Sequence, residues 1–123
     1  MSETDPSLPL VLVAEDEAVI GMTLLPDLEE AGYRVAGPFA RCDEAMAWME
    51  SSSPDLAILD VILRDGPCTA LAQELRRRGV PYLVFSGDDR HAASITEFND
   101  APWIEKPGSF ETIRAALATI TPQ

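Results

Sequence analysis

The chain has 123 residues, 46% of them apolar and 24% charged, so one ordinary soluble domain with its own core is the default. Asp and Glu number 21 against 9 Lys and Arg, giving a net charge of −12 and a pI near 4.2. That balance excludes a general nucleic-acid binder, argues against docking on an anionic membrane, and leaves too much apolar content for a disordered chain.

Leu8–Ala14 is a near-continuous apolar run and predicts a strand buried on both faces. It passes straight into Glu15-Asp16-Glu17, after which Ile20, Leu24, Leu28 and Ala31 recur at helical spacing up to Gly32. Pro26 lies inside that helix and cannot donate to the Met22 carbonyl, which predicts a kink. A short strand at Arg34–Gly37 precedes a helix over Cys42–Ser51, whose Trp48 falls at core spacing. Leu56–Leu59 is another buried strand, closed by Asp60. Pro67 opens a helix through Arg78, where the basic run Arg76–Arg78 favours the helix C-terminus. Tyr82–Phe85 is a strand ending at Ser86-Gly87, and Asp88–Asp100 reads as a short, weakly amphipathic helix with an exposed His91. Trp103–Glu105 forms a last strand, and Ser109 caps a final helix with Ile113 and Leu117 inward. Five strands alternating with five helices predict a parallel α/β sheet covered on both faces.

The longest apolar stretch is too short to span a membrane, and the acidic N-terminus is unlike a secretory signal. Cys42 and Cys68 are too few and too far apart for a disulfide framework or a zinc site. Both therefore read as small packing residues of a reduced, cytoplasmic protein.

The polar residues fall at strand ends: Glu15 and Asp16 after the first, Asp60 after the third, Ser86 after the fourth and Lys106 after the fifth. In a parallel α/β sheet these ends share one edge, where such folds place their sites. Two carboxylates about 4 Å apart repel by roughly 4 kcal/mol at an effective dielectric near 20, so three in one cleft call for a cation or for protons. Hard oxygen donors suit Mg²⁺. An ammonium and a hydroxyl beside them suit phosphoryl oxygens, and the set points to phosphoryl transfer onto Asp60.

These residues resemble the response-regulator receiver domain of two-component signalling. The elements that carry the likeness are Glu15-Asp16, Leu59-Asp60-Val61, Ser86-Gly87 and Lys106-Pro107, in that order and spacing; Pro81–Gly87 is also similar to a subgroup with P-F-x-F-A-T-G there. The resemblance covers residues 8–120, with short tails at 1–7 and 121–123. It implies a flavodoxin-like doubly wound sheet of five parallel strands in order 2-1-3-4-5, with five helices. It further implies that Asp60 accepts a phosphoryl group from a phosphohistidine on a histidine kinase or phosphotransfer protein. Mg²⁺ would be held by Asp16 directly, by Glu15 largely through water, by Asp60 and by the Ile62 backbone carbonyl. Ser86 and Lys106 would bind phosphoryl oxygens, and Trp103 stands at the place of the switch aromatic. The expectation is a cytoplasmic single-domain regulator, monomeric or weakly dimeric, with no nucleic-acid or membrane partner. It is a phosphoacceptor rather than an enzyme, signalling to a downstream protein through the face formed by Asp88–Phe110.

The sequence departs from the pattern in places. The stretch Val61–Gly66 lacks the usual Met-Pro, Asp88 replaces a common aromatic, and Trp103 is larger than the usual Tyr or Phe. Two other functions are compatible with an acidic α/β sheet edge. An aspartyl phosphatase would place a second Asp two residues after the nucleophile, where this chain has Ile62. A phosphorylation-independent receiver-like interaction module would not need the complete set of acceptor, acids, hydroxyl and lysine.

Overall fold

The apolar run at the N-terminus forms strand β1 (Leu10–Ala14), whose last four residues are buried. Helix α1 (Ala18–Glu30) follows, then β2 (Arg34–Phe39), α2 (Cys42–Met49) and β3 (Leu56–Leu59). Two-residue strands β4 (Ile62–Leu63) and β5 (Gly66–Pro67) make a small antiparallel hairpin before α3 (Thr69–Arg77). Strands β6 (Tyr82–Ser86) and β7 (Trp103–Glu105) and helix α4 (Phe110–Ile120) complete the order. The structure, a computed structural model, describes residues 6–87 and 101–121. The predicted helix over Asp88–Asp100, with His91, lies outside the described residues, and four helices lie within them.

The five-stranded sheet runs β2-β1-β3-β6-β7 with every pairing parallel. Setting aside the hairpin strands, this is the expected order 2-1-3-4-5. Side chains alternate across each strand, so one sequence feeds two cores. Leu12, Ala57, Leu59 and Val84 pack with Ala45, Met49, Leu71 and Leu75 on one face. Val11, Val13, Ile58, Leu83 and Phe85 pack with Leu24, Leu28, Ile113 and Leu117 on the other. Helices on both faces exclude water from the strands, which explains their unbroken apolar runs. No helix among the described residues is long and apolar enough to cross a membrane.

Several local readings are realised residue by residue. Ser109 Oγ accepts the Thr112 amide at 3.2 Å and caps α4. Trp48 packs against the first core, its ring centroid 6.2 Å from that of Phe39. Arg78 does more than solvate a helix end: it donates to the carbonyls of Met49 and Ser52 at 2.7 and 3.0 Å, tying α3 to the end of α2. Pro26 lies inside α1 without ending it. Met22, whose carbonyl lacks that donor, is 71% exposed, so water can satisfy the group.

The cysteine reading is corrected. Cys42 and Cys68 do pack at the first core, but they are joined as a disulfide with a Cα–Cα distance of 5.4 Å. The β4–β5 hairpin folds the chain back after β3 and brings the start of α3 to the start of α2. A sequence separation of 26 therefore closes in space, which spacing alone does not disclose.

Candidate functional site

Four of the five strands deliver polar groups to the sheet's carboxyl edge: Glu15 and Asp16 after β1, Asp60 after β3, Ser86 at the end of β6 and Lys106 after β7. The Asp60 amide donates to the Ala14 carbonyl at 2.9 Å, extending the β1–β3 ladder by one step and fixing Asp60 beside Glu15. Likewise the Lys106 amide donates to the Ser86 carbonyl at 2.8 Å, setting the lysine beside the serine. Placement of Glu15 needs a detour in β2. The β1–β2 register shifts between Leu12 and Ala14, where Gly37 has φ of +101°, and a Cβ there would lie 2.7 Å from the Val13 carbonyl oxygen. Only glycine suits that position. The shift presents the Phe39 carbonyl to the Glu15 amide at 2.8 Å.

The side chains converge on Asp60, which is 6% exposed. Ser86 Oγ donates to Asp60 Oδ1 at 2.8 Å and Lys106 Nζ donates to Asp60 Oδ2 at 2.8 Å. The Ile62 amide approaches Oδ1 at 3.4 Å, a long contact. Lys106 Nζ also donates to Glu15 Oε2 at 2.9 Å and to Glu17 Oε1 at 3.2 Å, and stands 5.7 Å from the Phe85 ring centroid. Glu15 Oε2 further accepts the Glu17 amide at 3.0 Å. Carboxylate oxygens of Glu15, Asp16 and Asp60 all lie within 4.8 Å of one another, with Asp16 half-buried and the other two buried.

Burial pushes the Glu15 carboxyl up to about 7, against the hydrogen bonds from Lys106 and the Glu17 amide that lower it. Burial alone would weaken the hold of Lys106 on its proton. Its hydrogen bonds to Asp60 and Glu15 outweigh that and raise the ammonium above its ordinary value. Lys106 stays charged, while Glu15 loses more by burial than it gains from sharing that cation.

Glu15, Asp16, Asp60, Ser86 and Lys106, separated by up to 91 residues, thus form one site. Ile62 borders it through its amide. Trp103, on β7, is opposite Val84 of β6 and 36% exposed, and its ring makes none of the site's contacts among the described residues. Glu17 and Phe85 also stand against Lys106 and are not among the site residues that the sequence suggests. For Glu17 a signal was present, since it directly follows the acidic pair.

The sequence matches the family described as "Response regulator receiver domain" over residues 11–118. This chain belongs to the response-regulator receiver family. It is 38% identical over 88 residues to Transcriptional regulatory protein PdtaR of Mycobacterium tuberculosis, a match covering 69% of this chain and 42% of that protein. To Transcriptional regulatory protein BaeR of Escherichia coli it is 30% identical over 119 residues, covering 94% of this chain and 49% of that protein. The receiver therefore spans about half the length, or less, of these two relatives. The solution structure of SdrG from Sphingomonas melonis Fr1 superposes with a TM-score of 0.79 at 32% identity, covering 94% of this chain and 98% of that one. Receiver domains are signalling phosphoacceptors that work with histidine kinases or phosphotransfer proteins. One structural neighbour, the response regulator TrrA from Thermotoga maritima, is solved in complex with Mg²⁺–BeF and superposes with a TM-score of 0.77 at 22% identity. In this receiver, Glu15, Asp16 and Asp60 form an acidic cluster.

Proposed function

We propose that Asp60 accepts a phosphoryl group from a phosphohistidine on a histidine kinase or phosphotransfer protein, and that the chain signals by phosphorylation-dependent protein binding. The observation that carries this reading is the Asp60 carboxylate held between the Ser86 hydroxyl and the Lys106 ammonium, both at 2.8 Å. A carboxylate oxygen of Asp60 attacks phosphorus, the donor's N–P bond breaks, and the imidazole leaves with a proton while an acyl phosphate forms. Ser86 Oγ and Lys106 Nζ, already aimed at Asp60, transfer their hydrogen bonds to oxygens of the new group. That shift of Ser86 biases a two-state equilibrium on the face reaching from β6 toward α4, with Trp103 as its exposed aromatic.

The donor set fits Mg²⁺: hard oxygens only, from carboxylates at one sheet edge, without imidazole or thiolate among them. Asp16, Glu15 and Asp60 would hold the ion, with the Ile62 carbonyl completing the protein's share. When bound, it neutralises the phosphoryl oxygens as charge shifts in the transfer. The remaining chemistry belongs to the chain. Glu15 and Asp16 keep the pocket anionic, and Lys106 offsets that charge before the phosphoryl group arrives. A cytoplasmic setting, a receiver over residues 8–120 and a monomer or weak homodimer complete the reading.

Thermal melts test it. A Mg²⁺–beryllium fluoride mimic at about 100 times its dissociation constant adds roughly 2.7 kcal/mol to stability. Asp60→Ala abolishes the gain. No shift in the native chain, or an equal shift in Asp60→Ala, would leave the phosphorylation-independent interaction module as the better reading.

A further inference from the structure

The segment that follows Asp60 is fastened at three points to α2 and the residues that lead into it. Asp65 accepts the amides of Cys42 and Asp43 at 2.7 and 3.0 Å, serving as the side-chain cap that Arg41 does not provide for α2. The Arg64 amide donates to the Ala40 carbonyl at 3.0 Å. The third fastening is the Cys42–Cys68 disulfide, the only covalent one. Cys42 is the first residue of α2, and Cys68 stands immediately before α3. The Cys68 amide donates at 2.9 Å to the carbonyl of Val61, the residue next to Asp60, and the following amide, of Ile62, approaches Asp60 Oδ1. A short path of bonded groups therefore links the cross-link to the carboxylate.

We propose that Cys42 and Cys68 form a reversible redox site whose state sets how well the Asp60 pocket binds a phosphoryl group. The proposal rests on the phosphoacceptor reading above and on its cytoplasmic setting. In reducing compartments structural disulfides are rare, and those that form are mostly transient and redox-sensing. The pair is also unequally placed. Cys68 is 1% exposed, whereas Cys42 is half-buried at a helix start, so an incoming thiolate reaches Cys42.

The exchange partner is a low-molecular-weight thiol and its disulfide. A thiolate attacks Cys42 Sγ, the Sγ–Sγ bond breaks, and Cys68 leaves as a thiolate that takes a proton. A second thiolate attacks the outer sulfur of the mixed disulfide and frees Cys42. The protein disulfide gains two electrons and two protons, and two small thiols become one disulfide. Oxidation is the reverse.

The cross-link acts on binding through order. With it in place, Val61–Cys68 is held before any ligand arrives. Without it, the segment keeps the Asp65 cap, the Arg64 bond, the Cys68–Val61 bond, the two-residue ladder and the buried Val61 and Leu63 side chains, but it loses its covalent tie, and binding has to supply the lost order. The oxidised form is therefore the better receiver, with an affinity ratio of roughly fivefold, at the lower end of common site-to-site couplings.

The test is a calorimetric titration of the full chain with Mg²⁺ plus beryllium fluoride. It is run on protein oxidised with glutathione disulfide, on the same protein reduced with a phosphine, and on Cys42→Ser/Cys68→Ser. Alkylation and mass measurement count free thiols in each sample, and circular dichroism checks folding. Roughly fivefold tighter binding by the oxidised form, with the reduced form and the variant alike, supports the proposal. If the variant does not fold, the reduced native chain carries the comparison. Equal affinity in both states overturns the redox coupling and leaves the phosphoacceptor reading intact. Binding in neither state removes that reading and this inference with it. Two alkylated thiols after treatment with glutathione disulfide also overturn the proposal.

Discussion

Lys106 Nζ donates to Asp60 Oδ2 at 2.8 Å, and the lysine and aspartate side chains are 10% and 8% exposed. The same nitrogen reaches Glu15 Oε2 at 2.9 Å, so one ammonium compensates two buried carboxylates from different strand ends. A pairing so dry is strong only while it is complete, because removing one partner leaves an uncompensated buried charge.

Lys106→Met tests that dependence. The variant loses about 3 kcal/mol of stability without Mg²⁺. Much of the loss returns when Mg²⁺ is added, because a divalent ion replaces the missing charge, and the variant binds Mg²⁺ more tightly than the native chain. Urea unfolding with and without Mg²⁺ reads both effects. A variant as stable as the native chain in the absence of Mg²⁺ would show that the pairing is incidental.

The raised Glu15 carboxyl predicts a pH dependence of definite sign. Its ordinary value is 4.5 and its folded value is about 7, so the folded state holds this proton more firmly than the unfolded chain. The contribution to stability is complete below pH 4.5 and is lost as the pH rises through about 7. Mg²⁺ competes with the same proton, so its affinity rises across that interval and binding releases protons. Titrations on either side of pH 7, in buffers of different ionisation enthalpy, count them. Glu15→Gln removes the proton release. Release unchanged in Glu15→Gln would assign the titration to another group.

Asp65 is expected to matter out of proportion to its exposure. The Cys42 amide, and next the Asp43 amide, hold its carboxylate below the ordinary value of 3.8. A depressed value means a contribution present above pH 3.8 and lost as the pH falls below it. Asp65→Ala uncaps α2, lowers the urea midpoint and leaves the slope unchanged, since the folded core is untouched. Asp65→Asn, which keeps an acceptor, restores part of the midpoint. If Asp65→Ala unfolds at the native midpoint, the cap is not formed in solution.

The features read correctly from sequence are those that depend on local order. Val11–Ala14 and Leu56–Leu59 are apolar throughout because their sheet is covered on both faces, and polar residues at their ends mark where the cover stops. Ser109 advertised its cap by residue type alone. The features that escaped depend on closure between distant segments. Neither cysteine carries a local sign of its partner, and Asp65 looks like an ordinary turn residue until the hairpin brings it to the start of α2. Glu17 was legible as an acid but not as a ligand of Lys106, because the lysine lies 89 residues away.

The most direct test of the central claim is to locate the phosphoryl group itself. The chain is incubated with Mg²⁺ and a small phosphodonor such as phosphoramidate, then its intact mass and peptides are measured under mild conditions. The account predicts one added phosphoryl group on the peptide containing Asp60, dependent on Mg²⁺, released by hydroxylamine as an acyl phosphate should be, and absent from Asp60→Ala. A group found on another residue, or none on native protein that binds Mg²⁺, would contradict it.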